Sequence, residues 1–225
     1  MQAIILAAGM GKRLGELTKS NTKCMVKVNG IRIIERMLSQ LEKLQLQRIV
    51  MVVGYQSEPL RSFVSSLNCK VPIVFVENPV YDKTNNIYSL ALPKQYMLEQ
   101  DTILLESDLV FEDSLLDLLL NSHFANIALV SKYRQWMDGT MVQIDGDCKI
   151  TNFVPKTAFD FNNVDTYYKT VNIYKFTKKF CENIYVPFLE AYIKAFGNNE
   201  YYEQVLRAIT LLDKVDLFAL PVGNR

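Results

Sequence analysis

Two close glycines and three cations sit where the first apolar run of the chain ends, in "ILAAGMGKRLGELTKSNTKCMVKVNG". Gly9 and Gly11 are followed at once by Lys12 and Arg13, and Lys23 comes ten residues later. A glycine turn at the carboxyl end of a strand lets backbone N–H groups approach an anion closely. Arg13 offers a planar fork suited to phosphate oxygens, and Lys23 a compact point charge. Two known phosphate loops are excluded by spacing. The dinucleotide fingerprint needs glycine three residues after Gly11, where Leu14 stands. The P-loop needs a glycine five positions before Gly11 and Ser or Thr after Lys12, but Leu6 and Arg13 occupy those positions. On these residues alone, an anion-binding turn and a tight turn with solvated cations both stand.

These side chains need a scaffold, and the hydrophobic pattern supplies one. Ala3 to Ala8 reads as a buried strand, and apolar residues at 31, 34, 37, 38, 41 and 44 mark an amphipathic helix over 31–44. Further strands read at 48–54, 71–78, 102–107 and 126–133, with a helix-like stretch "EDSLLDLLLNS" between the last two. Strands alternating with helices predict an α/β fold with a doubly wound, mostly parallel, Rossmann-like sheet. After Trp136 the rhythm changes. "GTMVQID" and "KITNFVP" flank "GDC" as a hairpin, 166–176 reads as another strand, helices follow over 177–195 and 199–211, and a last strand covers 215–221. The expectation is a single domain over 1–225 with an inserted β-hairpin and helical cap. Residues 1–133 would form its nucleotide-binding part and 134–225 its acceptor-binding part.

Composition narrows the function classes. Among 225 residues, 25 Lys+Arg against 24 Asp+Glu leave a formal charge of +1, unlike the strong basic excess of nucleic-acid binders. Runs of apolar residues are too short to cross a membrane, and the first one is too short for a secretory signal. Cys24, Cys69, Cys148 and Cys181 are widely spaced and His123 is the only histidine, so zinc chemistry and Ser-His or Cys-His catalysis are disfavoured. Reduced packing cysteines and a cytoplasmic location are expected.

"LAAGMGKRL" followed by "KCMVKVNG" resembles the signature of the nucleotidyltransferase superfamily, L-A-A-G-x-G-x-R-[LM] and then P-K-P-x-[LV]-x-[VI]-x-G. Thr22 and Cys24 stand where that pattern has prolines. The resemblance implies transfer of a nucleoside monophosphate from a nucleoside triphosphate to a phosphorylated acceptor, with release of pyrophosphate. It implies that Leu6, Ala7, Ala8, Gly9, Gly11, Lys12, Arg13 and Lys23 bind the nucleotide and that Lys23 and Arg13 are catalytic. Lys12 is either an auxiliary contact or solvated. "TNNIYSL" within 81–90 resembles cytidylyltransferases acting on phosphocholine and related aminoalkyl phosphates or phosphonates, placing Thr84, Asn85, Asn86 and Ser89 near cytosine and ribose of CTP. The same residues also read as a capped helix start. Asp108, in "ESDLVFED", matches the superfamily's metal-binding aspartate and implies Mg²⁺, with Glu106 supporting it. Glu112 and Asp113 read as a helix start.

The acceptor site is expected after position 130. Trp136 beside Asp138 suits a cationic amine, Lys169 a phosphate or phosphonate, and Glu200, Tyr201 and Glu203 complete the set. Each also reads as an ordinary core aromatic or solvated charge. The stretches "KYRQWMDGT", "YYKTVNIYKF" and "EYYEQVLRA" resemble the cytidylyltransferase half of bifunctional phosphonate-biosynthesis proteins, in which an aminotransferase follows. The implied reaction makes CMP-2-aminoethylphosphonate from CTP and 2-aminoethylphosphonate. Choline-phosphate cytidylyltransferase is the alternative. A sugar-1-phosphate nucleotidyltransferase and a non-catalytic nucleotide-binding module are weaker ones. The family's partner acid lies in a motif like E-I-D after the last core strand. Here the chain ends at "ALPVGNR", so a fragment of a longer protein is expected.

Overall fold

In the computed structural model, which describes residues 1–212 and 215–223, the first strand β1 (Gln2–Ala7) is buried throughout. Ile4 and Leu6 pack on one side of it, and Ala3, Ile5 and Ala7 on the other. Such a continuous apolar run is what a strand covered on both faces requires. A short hairpin, β2 (Lys27–Val28) and β3 (Ile31–Arg32), leads into α1 (Ile33–Leu41). The chain continues through β4 (Ile49–Val53), α2 (Ser57–Ser66), β5 (Ile73–Glu77), α3 (Asn86–Ala91), α4 (Lys94–Met97), β6 (Thr102–Glu106), α5 (Asp113–Asn121) and β7 (Ile127–Lys132). Then come β8 (Met141–Ile144), β9 (Ile150–Val154), β10 (Tyr168–Phe176), α6 (Lys178–Phe180), α7 (Val186–Phe196), α8 (Glu203–Thr210) and β11 (Phe218–Pro221).

The main sheet runs β11-β7-β10-β6-β1-β4-β5. All neighbours on this path are parallel except at β10, which runs antiparallel to both β6 and β7. The β8–β9 hairpin joins through β8, with Val142 opposite Tyr168 and Met141 opposite Lys169. Two apolar clusters cover the two faces. One packs α1, α2 and α5 against the sheet, and the other packs α3, α7 and α8 against its opposite side. The carboxyl ends of β1 and β6 lie side by side, because Leu6 is registered against Glu106. Gly9, Gly11 and Asp108 therefore emerge on one edge.

The doubly wound α/β expectation agrees with this architecture, and its element boundaries need corrections. The helix expected from residue 31 starts at 33, because Asn29 and Gly30 both adopt positive φ (52° and 82°) and turn a two-residue hairpin first. Asn-Gly is the strongest short hairpin signal in a sequence, since that turn needs both central residues left-handed. The helix expected over 177–195 is interrupted by a π-helical turn at Cys181–Tyr185 just before Pro187. Proline lacks a donor N–H and crowds the carbonyl four residues back, so the wider turn accommodates it. The helix expected from 199 starts at Glu203. Asn198 and Glu200 instead give their backbone carbonyls to the start of α3, at Asn85 and Ile87 respectively.

Cys24 and Cys181 lie fully inside these clusters. Burial pushes their thiols up, to about 11 and about 12, with Thr22 opposing the shift at Cys24. A thiol kept protonated and covered reacts slowly. Brief alkylation of the native protein, followed by peptide mass spectrometry, is expected to label Cys69 and Cys148 and spare Cys24 and Cys181. All four should react in guanidinium.

Candidate active site

The glycine turn is built around one crossing. Gly11 adopts φ 65° and begins the 3₁₀ turn Lys12–Thr18. Its carbonyl accepts from the Leu14 amide at 2.9 Å and from Thr18 Oγ1 at 2.9 Å. A Cβ on Gly11 would lie 2.5 Å from Lys23 Cγ. Glycine is therefore needed for its left-handed backbone and also to let the Lys23 stem cross over it. Gly9 differs, since a Cβ there would meet nothing within 4 Å. Leu6, Ala7 and Ala8 are buried and contribute backbone: the Leu6 carbonyl accepts from the Ser107 amide, and that of Ala8 from the Tyr55 amide at 3.0 Å.

Lys23 starts a second 3₁₀ turn, Lys23–Met25, closed by Met25 N–H on the Thr22 carbonyl and Val26 N–H on that of Lys23, both at 3.1 Å. Thr22 has φ −74°, inside the range a proline would impose. Its hydroxyl lies 3.0 Å from the Cys24 thiol, and both side chains are buried. The Thr–Cys pair thus fixes the turn that prolines fix in the related pattern. Across the β1–β6 edge, Lys23 Nζ donates to Asp108 Oδ2 at 2.9 Å, with both side chains about one-third exposed (33% and 36%). Such a pair is worth at most about 1 kcal/mol. It leaves both charges accessible to a ligand.

Near Asp108 lies a largely buried polar cluster. Asn86, at the start of α3, donates to Glu106 Oε1 at 3.1 Å and accepts from the Tyr202 amide at 3.0 Å. It therefore ties α3, β6 and the start of α8 together. Burial, then the nearby charges of Glu203 and Asp108, push the Glu106 carboxyl up to about 8, against the lowering effects of Asn86 and Lys23. Glu203 is also raised, chiefly by burial. Lys169 Nζ donates to the Thr170 carbonyl at 2.8 Å, and burial lowers its pKa despite Glu203 and Asp138.

The remaining expected residues fall into two groups. Thr84, Asn85 and Ser89 are held internally. The Thr84 hydroxyl donates to the Val80 carbonyl and accepts from Asn78, Asn78 also donates to Ser89, and Asn85 caps α3 through the Asn86 amide. Trp136, Asp138, Lys12, Arg13 and Tyr201 are exposed. Trp136 is 77% exposed, and Asp138 is paired with Lys156 at 3.0 Å. Trp136 and Asp138 therefore form no closed aromatic cage. Lys156 holds the Asp138 carboxyl below the usual range, with smaller contributions from the Gly139 amide and Arg13. Glu200 is half-buried and serves α3 through its carbonyl.

Sequence reasoning missed Asn78 and Gly54. Asn78 is a buried polar hub. A Cβ on Gly54 would lie 2.8 Å from Tyr81 Cβ and 2.9 Å from the Ala8 carbonyl, so its bareness keeps β4 close to the glycine turn. The signals were an asparagine and a glycine, each just past the end of a strand.

Among the described residues, no group of three or more His, Cys, Asp or Glu could enclose a metal ion. Asp108 offers this edge an accessible hard oxygen donor. It fits Mg²⁺, which takes one or two carboxylates and completes its shell from phosphates and water. Glu106, pushed up by burial and already accepting from Asn86 through Oε1, fits less well as a direct ligand.

Gly11→Ala is expected to cost about 2 kcal/mol through its φ and the Lys23 overlap. Gly9→Ala should cost within about 0.5 kcal/mol. Thermal denaturation of the two variants measures the difference.

Residues 3–143 match the model of the MobA-like NTP transferase domain. CMP-5'-(3-aminopropyl)phosphonate synthase of Streptomyces rubellomurinus is 32% identical over 207 residues, covering 90% of this chain and 32% of that protein. The 2-aminoethylphosphonate cytidylyltransferase of Lancefieldella rimae is 38% identical over 112 residues, covering 49% of this chain and 44% of that protein. The matches thus span 32% and 44% of the length of these relatives. Among solved structures, CTP:phosphocholine cytidylyltransferase of Streptococcus pneumoniae superposes with a TM-score of 0.76 at 22% identity, covering 99% of this chain and 90% of the other, a likeness of fold. With the glycine turn, Lys23 and Asp108 inside the matched span, the chain belongs to the MobA-like NTP transferase family.

Proposed function

We propose that this protein is a Mg²⁺-dependent cytidylyltransferase that converts CTP and 2-aminoethylphosphonate into CMP-2-aminoethylphosphonate and pyrophosphate. The observation that carries the reading is Lys23, laid over Gly11 and paired with Asp108 at the mouths of β1 and β6. The names of the two phosphonate-linked relatives support CTP and an aminoalkylphosphonate as the substrates.

In the reaction, a phosphonate oxygen of the acceptor bonds to the α-phosphorus of CTP. The bond from that phosphorus to the bridging oxygen breaks, and pyrophosphate leaves with the electron pair. A phosphonate is already ionised near neutral pH, so no general base is required. Positioning and cationic stabilisation dominate such transfers. The Gly9–Gly11 turn admits the triphosphate, Arg13 grips the departing pyrophosphate, and Lys23 exchanges Asp108 for α-phosphate and acceptor oxygens. Asp108 would hold the Mg²⁺, which would supply charge neutralisation to the phosphates. Lys169 is the cation available to the acceptor's phosphonate, once it gives up the Thr170 carbonyl. A choline-phosphate acceptor would call for an aromatic enclosure, which the exposed Trp136 does not make.

Lys23→Ala should lower kcat by about 10²- to 10³-fold, as the loss of one preorganised cationic donor does. Its melting should shift little, because the pair it breaks is partly solvated. Pyrophosphate release from CTP and 2-aminoethylphosphonate measures the loss, and near-wild-type turnover would overturn the assignment. In wild type, EDTA should abolish turnover and Mg²⁺ restore it.

A further inference from the structure

Behind Asp108 several buried polar atoms have no hydrogen-bond partner. Glu203, at the first position of α8, is only 8% exposed, and its Oε2 has no hydrogen-bond partner. The hydroxyls of Tyr174, Tyr185 and Tyr202 are also buried and unpartnered. Glu106 adds a second carboxyl group, with Oε1 accepting from Asn86. Lys169, the cation whose charge reaches Glu203, spends its ammonium on Thr170 rather than on either glutamate. Leaving a buried carboxylate oxygen without a donor is costly, and native proteins rarely do so without a reason. A small cation rich in N–H donors would satisfy this oxygen and the tyrosine oxygens together.

We propose that Glu203, together with the Glu106 that Asn86 holds in place, forms the ammonium subsite of the acceptor site and selects a primary amine over a trimethylated one. This depends on the aminoalkylphosphonate reading above. A primary ammonium brings three N–H donors to the carboxyl oxygens of Glu203 and Glu106 and to the tyrosine hydroxyls. A trimethylammonium brings none, and would leave Glu203 Oε2 unsatisfied. Sites that hydrogen-bond a substrate group discriminate strongly against analogues lacking it, because the site's buried polar atoms then go unpaired. Trp136 and Asp138 lie outside this subsite, on the exposed rim.

The test is the specificity ratio of the full chain with CTP and Mg²⁺. It compares kcat/KM for 2-aminoethylphosphonate with kcat/KM for ethylphosphonate, and phosphocholine and 3-aminopropylphosphonate complete the panel. Wild type should prefer the primary amines to ethylphosphonate and phosphocholine by about tenfold or more. Glu203→Gln should shrink the ratio of 2-aminoethylphosphonate to ethylphosphonate by about tenfold or more, mainly through KM. An unchanged ratio, whether both activities fall together or neither falls, overturns the subsite and leaves the cytidylyltransferase reading in place. Preference of wild type for phosphocholine does the same. Absence of pyrophosphate release with every acceptor overturns the functional reading, and the subsite with it. Should Glu203→Gln fail to fold by thermal melting, Glu203→Asp, which keeps the charge and shortens its reach, provides the same ratio.

Discussion

Everything on the nucleotide side depends on one missing methyl group. Lys23 reaches Asp108 only because its stem passes through the space a Cβ on Gly11 would occupy. The same residue supplies the left-handed backbone that starts the 3₁₀ turn bearing Lys12 and Arg13. Turn, stem and ion pair are thus one steric solution. The two parts of the sequence signature, separated along the chain, meet at this point. Their separation is set by the length of chain needed to leave Gly11, form the turn and return above it.

The polar cluster behind Asp108 obeys a different logic. There the organising residue is Asn86, a single amide satisfied at both ends, joining α3, β6 and the entrance to α8. A fully used amide fixes geometry, whereas the unpartnered Glu203 oxygen and tyrosine hydroxyls around it do not. The contrast separates scaffold from recognition. Thr84, Asn85 and Ser89 belong with the scaffold by the same test, since each is engaged within the chain. Asn86 and Glu106, before residue 133, share one polar cluster with Glu203, after it.

How much of this was legible beforehand follows from what each signal measures. Apolar runs report burial, and β1, β4 and β6 are buried along nearly their whole length, so their existence and parallel arrangement could be read directly. The Gly9–Lys23 motif is local in sequence, and its chemistry was readable from residue types. The substitution of prolines by Thr22 and Cys24 could not be interpreted without seeing the hydroxyl and thiol buried against each other. Trp136 drew attention as an isolated aromatic, yet composition cannot say whether a ring faces inward. Glu203 could not be told from its neighbour Glu200 until the helix start was fixed at 203 rather than 199. Small errors in helix boundaries rotate a side chain from rim to interior.

The antiparallel placement of β10 has a consequence for how the chain is made. β7 leaves the parallel series at residue 132, but its sheet partners are β10 on one side and β11 on the other. A growing chain that has emerged only through β7 holds a buried-type strand with both edges bare. The gap between β7 and β6 is filled only when residues 168–176 arrive, and the outer edge only with 218–221. Contacts of such long sequence separation are slow to form and leave open edges exposed meanwhile. The molecule is therefore assembled from its centre outward in space but completed from its C-terminal strands in time. The polar cluster around Glu203, built in part from β10 and α8, closes after the parallel core strands have emerged.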